Sequence, residues 1–415
     1  MATLQPYNKY NIINYDYVSE LPEGWRLLPN IAIFEERIER GFENEELLSV
    51  TIGRGVIRQT NVDIKKDSSN EDKSKYKLIK VGDIAYNKMR MWQGALGYSE
   101  YQGISSPAYV ILKPKMKINA RYFHYLLRTV FYTNYSKRFS YGIVDDQLSL
   151  RYTDFKRMYS IVPPLEVQND IVAYLDKKNN EIDKFIKNKE RLVELLEEQK
   201  QTFISNTVKN DFLRTPKHWK KSKLKNAISK IGDGLHGTPE FVNESDYYFI
   251  NGNNLINGKI KIGESAKPIS ENEYKKHKKD LGGNTVLYSI NGTIGNVAFY
   301  NGEKVALGKS AAYINCKKQL SKEYLFYLLQ SKIVIEFYIT EMNGTTIFNL
   351  SLHSLKNTPI TIPPMNEQIE IIKDIKVGIA KIDLAISKAQ KEIASIKEYR
   401  EALVNDLVTG RRKAV

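Results

Sequence analysis

Side chains that could read or grip a polar ligand gather in a few short stretches. In Asn87-Lys88-Met89-Arg90-Met91-Trp92-Gln93-Gly94, polar, basic and aromatic residues interleave. Arginine and lysine suit guanine O6/N7 or a phosphate, and asparagine and glutamine suit adenine N6/N7. Asn87, Arg90 and Gln93 are therefore candidates for base contact, with Lys88 and Trp92 beside them. A second stretch is Asn251-Gly252-Asn253-Asn254. A third, residues 288–295, carries Asn291 and Thr293, and Lys309 follows further on. Asn and Gly also favour turns for backbone reasons alone.

Catalytic motifs are incomplete. Gly232-Asp233-Gly234-Leu235-His236-Gly237 has dinucleotide-loop spacing, but Thr238-Pro239 stands where a helix should begin. Gly308-Lys309-Ser310 ends like a phosphate loop, yet Glu303 fills the place of the required glycine and residues 311–315 read as strand. Val162-Pro163-Pro164-Leu165 and Ile362-Pro363-Pro364-Met365 lack the amide or acid, and the aromatic, of an adenine methyltransferase motif. Five scattered histidines and the single Cys316 offer neither a metal cluster nor a disulfide. No catalytic site, metal site or cofactor of its own is expected.

The charge balance points to a polyanion. Lys and Arg number 63 against 48 acidic residues, a formal charge of +15 spread along 415 residues rather than held in one tail. Hydrophobic residues make up 42%, enough for sizeable cores. The start lacks a signal-peptide pattern, and no apolar run approaches the roughly 20 residues of a membrane span. A cytoplasmic protein is expected.

The elements that must position these loops are written twice. Pro22 to Arg26 answers to Pro216 to Lys220. Ser106-Pro107-Ala108-Tyr109 pairs with residues 310–313, and residues 122–127 with 324–329. Leu148-Ser149-Leu150 pairs with Leu350-Ser351-Leu352, and Pro163-Pro164 and Gln168 recur as Pro363-Pro364 and Gln368. Ordered matches at nearly one offset indicate an internal duplication. Each copy holds short strand-like runs, then an amphipathic helix after Asn119 or Ser321, then Pro-Pro and a long helix.

Heptad spacing marks both long helices. The first has Leu175, Ile182 and Leu196 in one column, with Phe185 and Leu192 in the next. The second has Ile375, Ile382, Ile396 and Leu403, with Ile379 and Ile386 beside them; Gly378 and Ala385 would admit a facing helix closely. A forty-residue helix spans roughly 60 Å, too long to be covered by one small domain. The simplest arrangement is an antiparallel pair within one chain. The expected fold is α+β: two mixed domains (1–165 and 211–365) separated by two long antiparallel helices (166–210 and 366–415) in a pseudo-two-fold duplication. Coiled-coil dimerisation of an interaction scaffold with protein-binding ends is the alternative.

This layout resembles the specificity subunits of type I restriction–modification enzymes over essentially the whole chain. The resemblance rests on the Pro-x-x-Trp openings and on Asp233 to Pro239, similar to an Asp-Gly-x-His-x-Thr-Pro stretch of target recognition domains. It also rests on residues 344–350, and on the Pro-Pro-x-x-Glu-Gln pattern of Pro363 to Gln368 with its copy at Pro163 to Gln168. It adds His236, Thr238, Thr345 and Thr346 as candidate DNA contacts. In the first half, Tyr141-Gly142-Ile143-Val144 lacks the hydroxyl residue after glycine. The resemblance implies a non-catalytic subunit that reads a bipartite site in double-stranded DNA. It implies docking of two methyltransferase subunits, which bind S-adenosylmethionine, and a motor subunit that uses ATP and Mg for translocation and cleavage.

Overall fold

The computed structural model describes residues 4–62, 72–144, 148–208, 215–292, 294–341 and 349–414. The chain divides into two compact units, one of residues 1–188 with 392–415, the other of 189–391. The division falls inside both long helices. Each unit therefore joins one mixed domain to the first part of one helix and the last part of the other.

In the first unit the mixed domain contains β1 (Arg26–Pro29), β2 (Phe34–Glu36), β3 (Ile84–Asn87), β4 (Leu96–Tyr98) and β5 (Tyr109–Pro114). Helices α1 (Ala120–Leu127) and α2 (Val130–Phe139), then β6 (Tyr159–Val162), lead into α3 (Leu165–Val208). A four-stranded antiparallel sheet runs β2-β5-β3-β4, and β6 pairs with β1. Alternation along the central strands feeds two cores. Ile84, Tyr86, Val110 and Leu112 join the one that includes α1 and α2, while Ala85 and Ile111 join a smaller one with Leu48 and Val56.

The second unit repeats this. Its domain has β7 (Lys220–Lys223), β8 (Ile228–Gly232), β9 (Thr285–Ser289), β10 (Val297–Phe299) and β11 (Ala311–Cys316). Then come α4 (Lys322–Leu329), α5 (Lys332–Glu341), β12 (Pro359–Ile362) and α6 (Met365–Val408). The sheet order is β8-β11-β9-β10, and β12 pairs with β7. The strand β11 is buried throughout and sends alternate residues into two cores, Ala312 and Ile314 into one, Ala311 and Tyr313 into the other.

The strand registers correct two of the matched segments. Tyr109 faces Asn87 and Ala311 faces Ser289, so Tyr109 corresponds to Ala311 and not to Tyr313. Likewise the amide of Leu150 bonds to Lys88 O and that of Leu350 to Ile290 O, both leucines being fully buried. Leu150 therefore corresponds to Leu350 rather than Leu352. Local similarity of Ser-Ala-Tyr and Leu-Ser-Leu had misplaced both by two residues.

The repeated glutamines explain why Pro-Pro-x-x-x-Gln recurs. Gln168 is buried in the first turn of α3; its Oε1 accepts from Asn119 N (2.9 Å) and its Nε2 donates to Pro163 O (2.8 Å). Gln368 does the same in α6, accepting from Ser321 N (2.8 Å) and donating to Pro363 O (2.9 Å) and Gln319 O (2.8 Å). Each pin ties a long helix to the start of α1 or α4. Tyrosines hold the opposite ends: Tyr122 donates to Val408 O (2.9 Å) and Tyr324 to Val208 O (3.3 Å), satisfying terminal helix carbonyls.

Within each unit the two helix segments run antiparallel. Leu175 shares a core with Leu403 and Leu407, and Asp183 pairs with Arg400. In the other unit Lys200 meets Asp383 at 2.6 Å, and the Phe203 ring lies against Gly378, where any side chain would collide. On α6, Ile375, Ile386 and Leu403 are buried and Ile382 and Ile396 half-buried. On α3, Leu175 and Ile182 are buried and Leu196 is half-buried, but Phe185 and Leu192 are 39% and 40% exposed. The second column of α3 runs four residues after the first, through Ile186 and Val193, rather than three.

Among the described residues, no helix is long and apolar enough to cross a membrane, and no His/Cys/Asp/Glu group could hold a metal.

Candidate nucleic-acid interface

In the first unit the loop of residues 88–95 joins β3 to β4 and is held from within. The Asn87 side chain accepts from Met89 N (2.9 Å), and Arg90 N donates to Asn87 O. Met91 is fully buried and plugs the loop into the core. Gly94 closes the turn at φ +82°, a left-handed conformation that favours glycine. The Trp92 indole donates to Met89 O (3.2 Å), and Lys137 Nζ lies 4.9 Å above its ring. This bracing leaves Arg90 and Gln93 exposed. Asn87 and Trp92 shape the loop, and Lys88 turns toward Ser149 and Arg151 in a neighbouring cleft.

In the second unit four segments converge. The loop after β8 crosses Gly308, where Leu235 N donates to Leu307 O (2.8 Å); a side chain at Gly234 would strike the backbone of residues 307 and 308. The 251–254 turn is sewn to the 308–310 turn: Ser310 Oγ accepts from Gly252 N (2.9 Å) and donates to Asn251 Oδ1 (3.0 Å). The β9–β10 loop joins them through Asn296 Nδ2, which donates to Gly252 O (3.2 Å). Asn291 bridges to Asn349. Exposed on this surface are His236, whose ring meets Asp233 Oδ2 at 2.7 Å, with Thr238, Asn253 and Lys309.

Asn254 is corrected from contact to framework. It is fully buried, its Oδ1 accepts from Asn251 N (2.9 Å), and its Nδ2 donates to Lys261 O (3.2 Å) and Ser265 Oγ (2.8 Å). No atom is left for a base. Asn251 likewise spends its carbonyl oxygen on Ser310. Thr293, Thr345 and Thr346 lie outside the described residues. Residue types alone did not reveal Ser310 and Asn296, which position the loops; the Gly308-Lys309-Ser310 turn was the available signal.

Burial pushes the Cys316 thiol up to about 12. Burial, with Arg128 and Arg121 nearby, takes His124 down to about 3, and its Nδ1 accepts from Tyr98 N (3.2 Å).

Residues 216–398 match the family model for the type I restriction modification DNA specificity domain. A curated relative from Methanocaldococcus jannaschii, a putative type I restriction enzyme MjaX specificity subunit, is 26% identical and aligns over 98% of both chains. The chain is similar to the specificity subunits of type I restriction–modification enzymes. A second subunit from that organism, MjaIX, is 25% identical over 72% of this chain and 70% of its own. Two solved structures share the fold. One, from work on complex assembly and conformational transition of the type I system, has a TM-score of 0.70 at 16% identity, covering 94% of this chain and 99% of its own. The other, the HsdS subunit from Thermoanaerobacter tengcongensis, has 0.53 at 17%, covering 96% and 99%. The matched domain is a DNA specificity domain, which points to DNA recognition as the role of this chain.

Proposed function

We propose that each mixed domain reads one half of a bipartite site in double-stranded DNA. The observation that carries this is one topology presented twice with unlike loops. Met91 and Gly94 brace an Arg90/Gln93 tip in the first domain, whereas four glycine-packed turns present His236, Thr238, Asn253 and Lys309 in the second. Half-sites about one helical turn apart lie ~34–36 Å centre to centre. The long helices, each contributing to both units, set the unread spacer and dock two methyltransferase subunits. Those partners bring S-adenosylmethionine, and a motor subunit brings ATP and Mg.

Selecting duplexes from a random pool with the full chain and its co-purifying subunits tests the reading. The expected result is two conserved blocks flanking a run without preference. Arg90→Ala then blurs one block at a cost of about 1–3 kcal/mol and leaves the other intact. A single block, or a uniform loss of affinity from Arg90→Ala, refutes the assignment.

A further inference from the structure

Beside the first reading loop lies an open cleft of about 500 Å³, lined by Glu36, Lys77, Lys88, Ser149, Arg151 and Thr153, among others. Its charges do not balance. Lys77 is committed, donating to Glu36 Oε1 (2.9 Å) and Tyr109 O (3.0 Å). Lys88 and Arg151 have no carboxylate partner among the described residues, so two positive charges face the same space. Burial and the neighbouring Lys77 hold the Lys88 ammonium below the usual lysine range. A negative charge in the cleft would relieve both costs.

We propose that this cleft is a phosphate site, in which Lys88 and Arg151 grip one backbone phosphodiester of the bound DNA. The proposal rests on the DNA-reading role. A guanidinium can meet both free oxygens of a phosphodiester, and an ammonium adds a point charge. Location makes the site useful. Leu150, between Ser149 and Arg151, donates its amide to Lys88 O (2.9 Å), so the cleft is fastened to the loop that presents Arg90. A phosphate held there fixes the register of that loop on the duplex without reading sequence.

Among the described residues, the second domain does not repeat this pair of cations. By strand register Ile231 stands where Glu36 does, and Ile290 and Ser351 where Lys88 and Arg151 do. Ile290 is buried in the core, and Ser351 caps the short helix that follows it. This particular phosphate grip is thus assigned to the first domain.

The test is duplex binding by the full chain, followed by anisotropy between 50 and 200 mM salt. Lys88→Met and Arg151→Met should each weaken binding about tenfold at low salt. Each should reduce the salt slope by about 0.9, and the double variant by about twice that, with base preference unchanged. A neutral methylphosphonate at one phosphate beside the first half-site should reproduce the loss in the wild type and add nothing in the double variant. An unchanged slope in the double variant overturns the proposal, as does an altered base preference. So does loss of ATP or inorganic phosphate binding with duplex binding intact, which would assign the cleft to a free phosphate compound. Failure of the wild type to bind any duplex would instead sink the DNA-reading role itself.

Discussion

Replacing Gln368 by methionine isolates the role of the buried glutamine pins. The substitution nearly conserves side-chain length and volume, so packing is retained while three hydrogen bonds are lost. Ser321 N, Pro363 O and Gln319 O would be stranded around a fully buried position. A stranded buried group costs roughly 1–3 kcal/mol, and the Gln319 carbonyl, on an exposed residue, recovers water most easily. The junction between α6 and α4 should lose about 2–5 kcal/mol in all. Since every 1.4 kcal/mol is a factor of about ten, hydrogen exchange in peptides spanning 319–329 and 365–375 should accelerate at least ~30-fold. Gln168→Met strands two groups instead of three and should give a smaller acceleration, confined to the first unit. Less than threefold change in both variants would show that the pins are dispensable and that Pro-Pro-x-x-x-Gln recurs for another reason.

Three further outcomes are expected. Ile186→Ala should destabilise the first unit by about 2–4 kcal/mol in urea melts, and Phe185→Ala by less than about 1; the reverse order would restore the i+3 seam on α3. His124 is held neutral in the fold, so the unfolded chain binds the extra proton as pH falls below about 6.5. The first unit should lose about 1.4 kcal/mol per pH unit from there toward pH 3, and His124→Gln should remove that slope. The Cys316 thiol should resist alkylation at pH 8 until the second unit opens, so its labelling rate should track urea-induced unfolding.

The duplication was legible because its most distinctive residues are structural: prolines and a glutamine whose bonds cannot be made by other side chains. On α6, isoleucines recur at both heptad positions, and Ile375 and Ile386 are buried, whereas Val377 and Leu384 on another face are exposed. On α3, Phe185 and Leu192 offered an apolar column three residues on, while the true column passes through Ile186, Val193 and Lys200. Reading α6 onto α3 through the repeat would have resolved that choice. Arg90 and Gln93 are exposed. The burial of Asn254 was not legible, since it depends on Lys261 and Ser265 folding back over it. Nor was the convergence of the second domain's turns, which follows from parallel pairing of residues 248–250 with 305–307.

Because Tyr122 clasps the close of one rod and Gln168 the opening of the other, neither half of the gene encodes a self-sufficient body. A chain ending after Val208 would leave the Leu175 face without Leu403 and Leu407, exposing a greasy stripe until a complementary fragment or another copy supplied it. Exchange of the globular segments that precede Asn119 or Gln319 would, by contrast, leave these clasps in place. Those exposed loops can therefore diverge while the frame that mounts them stays fixed.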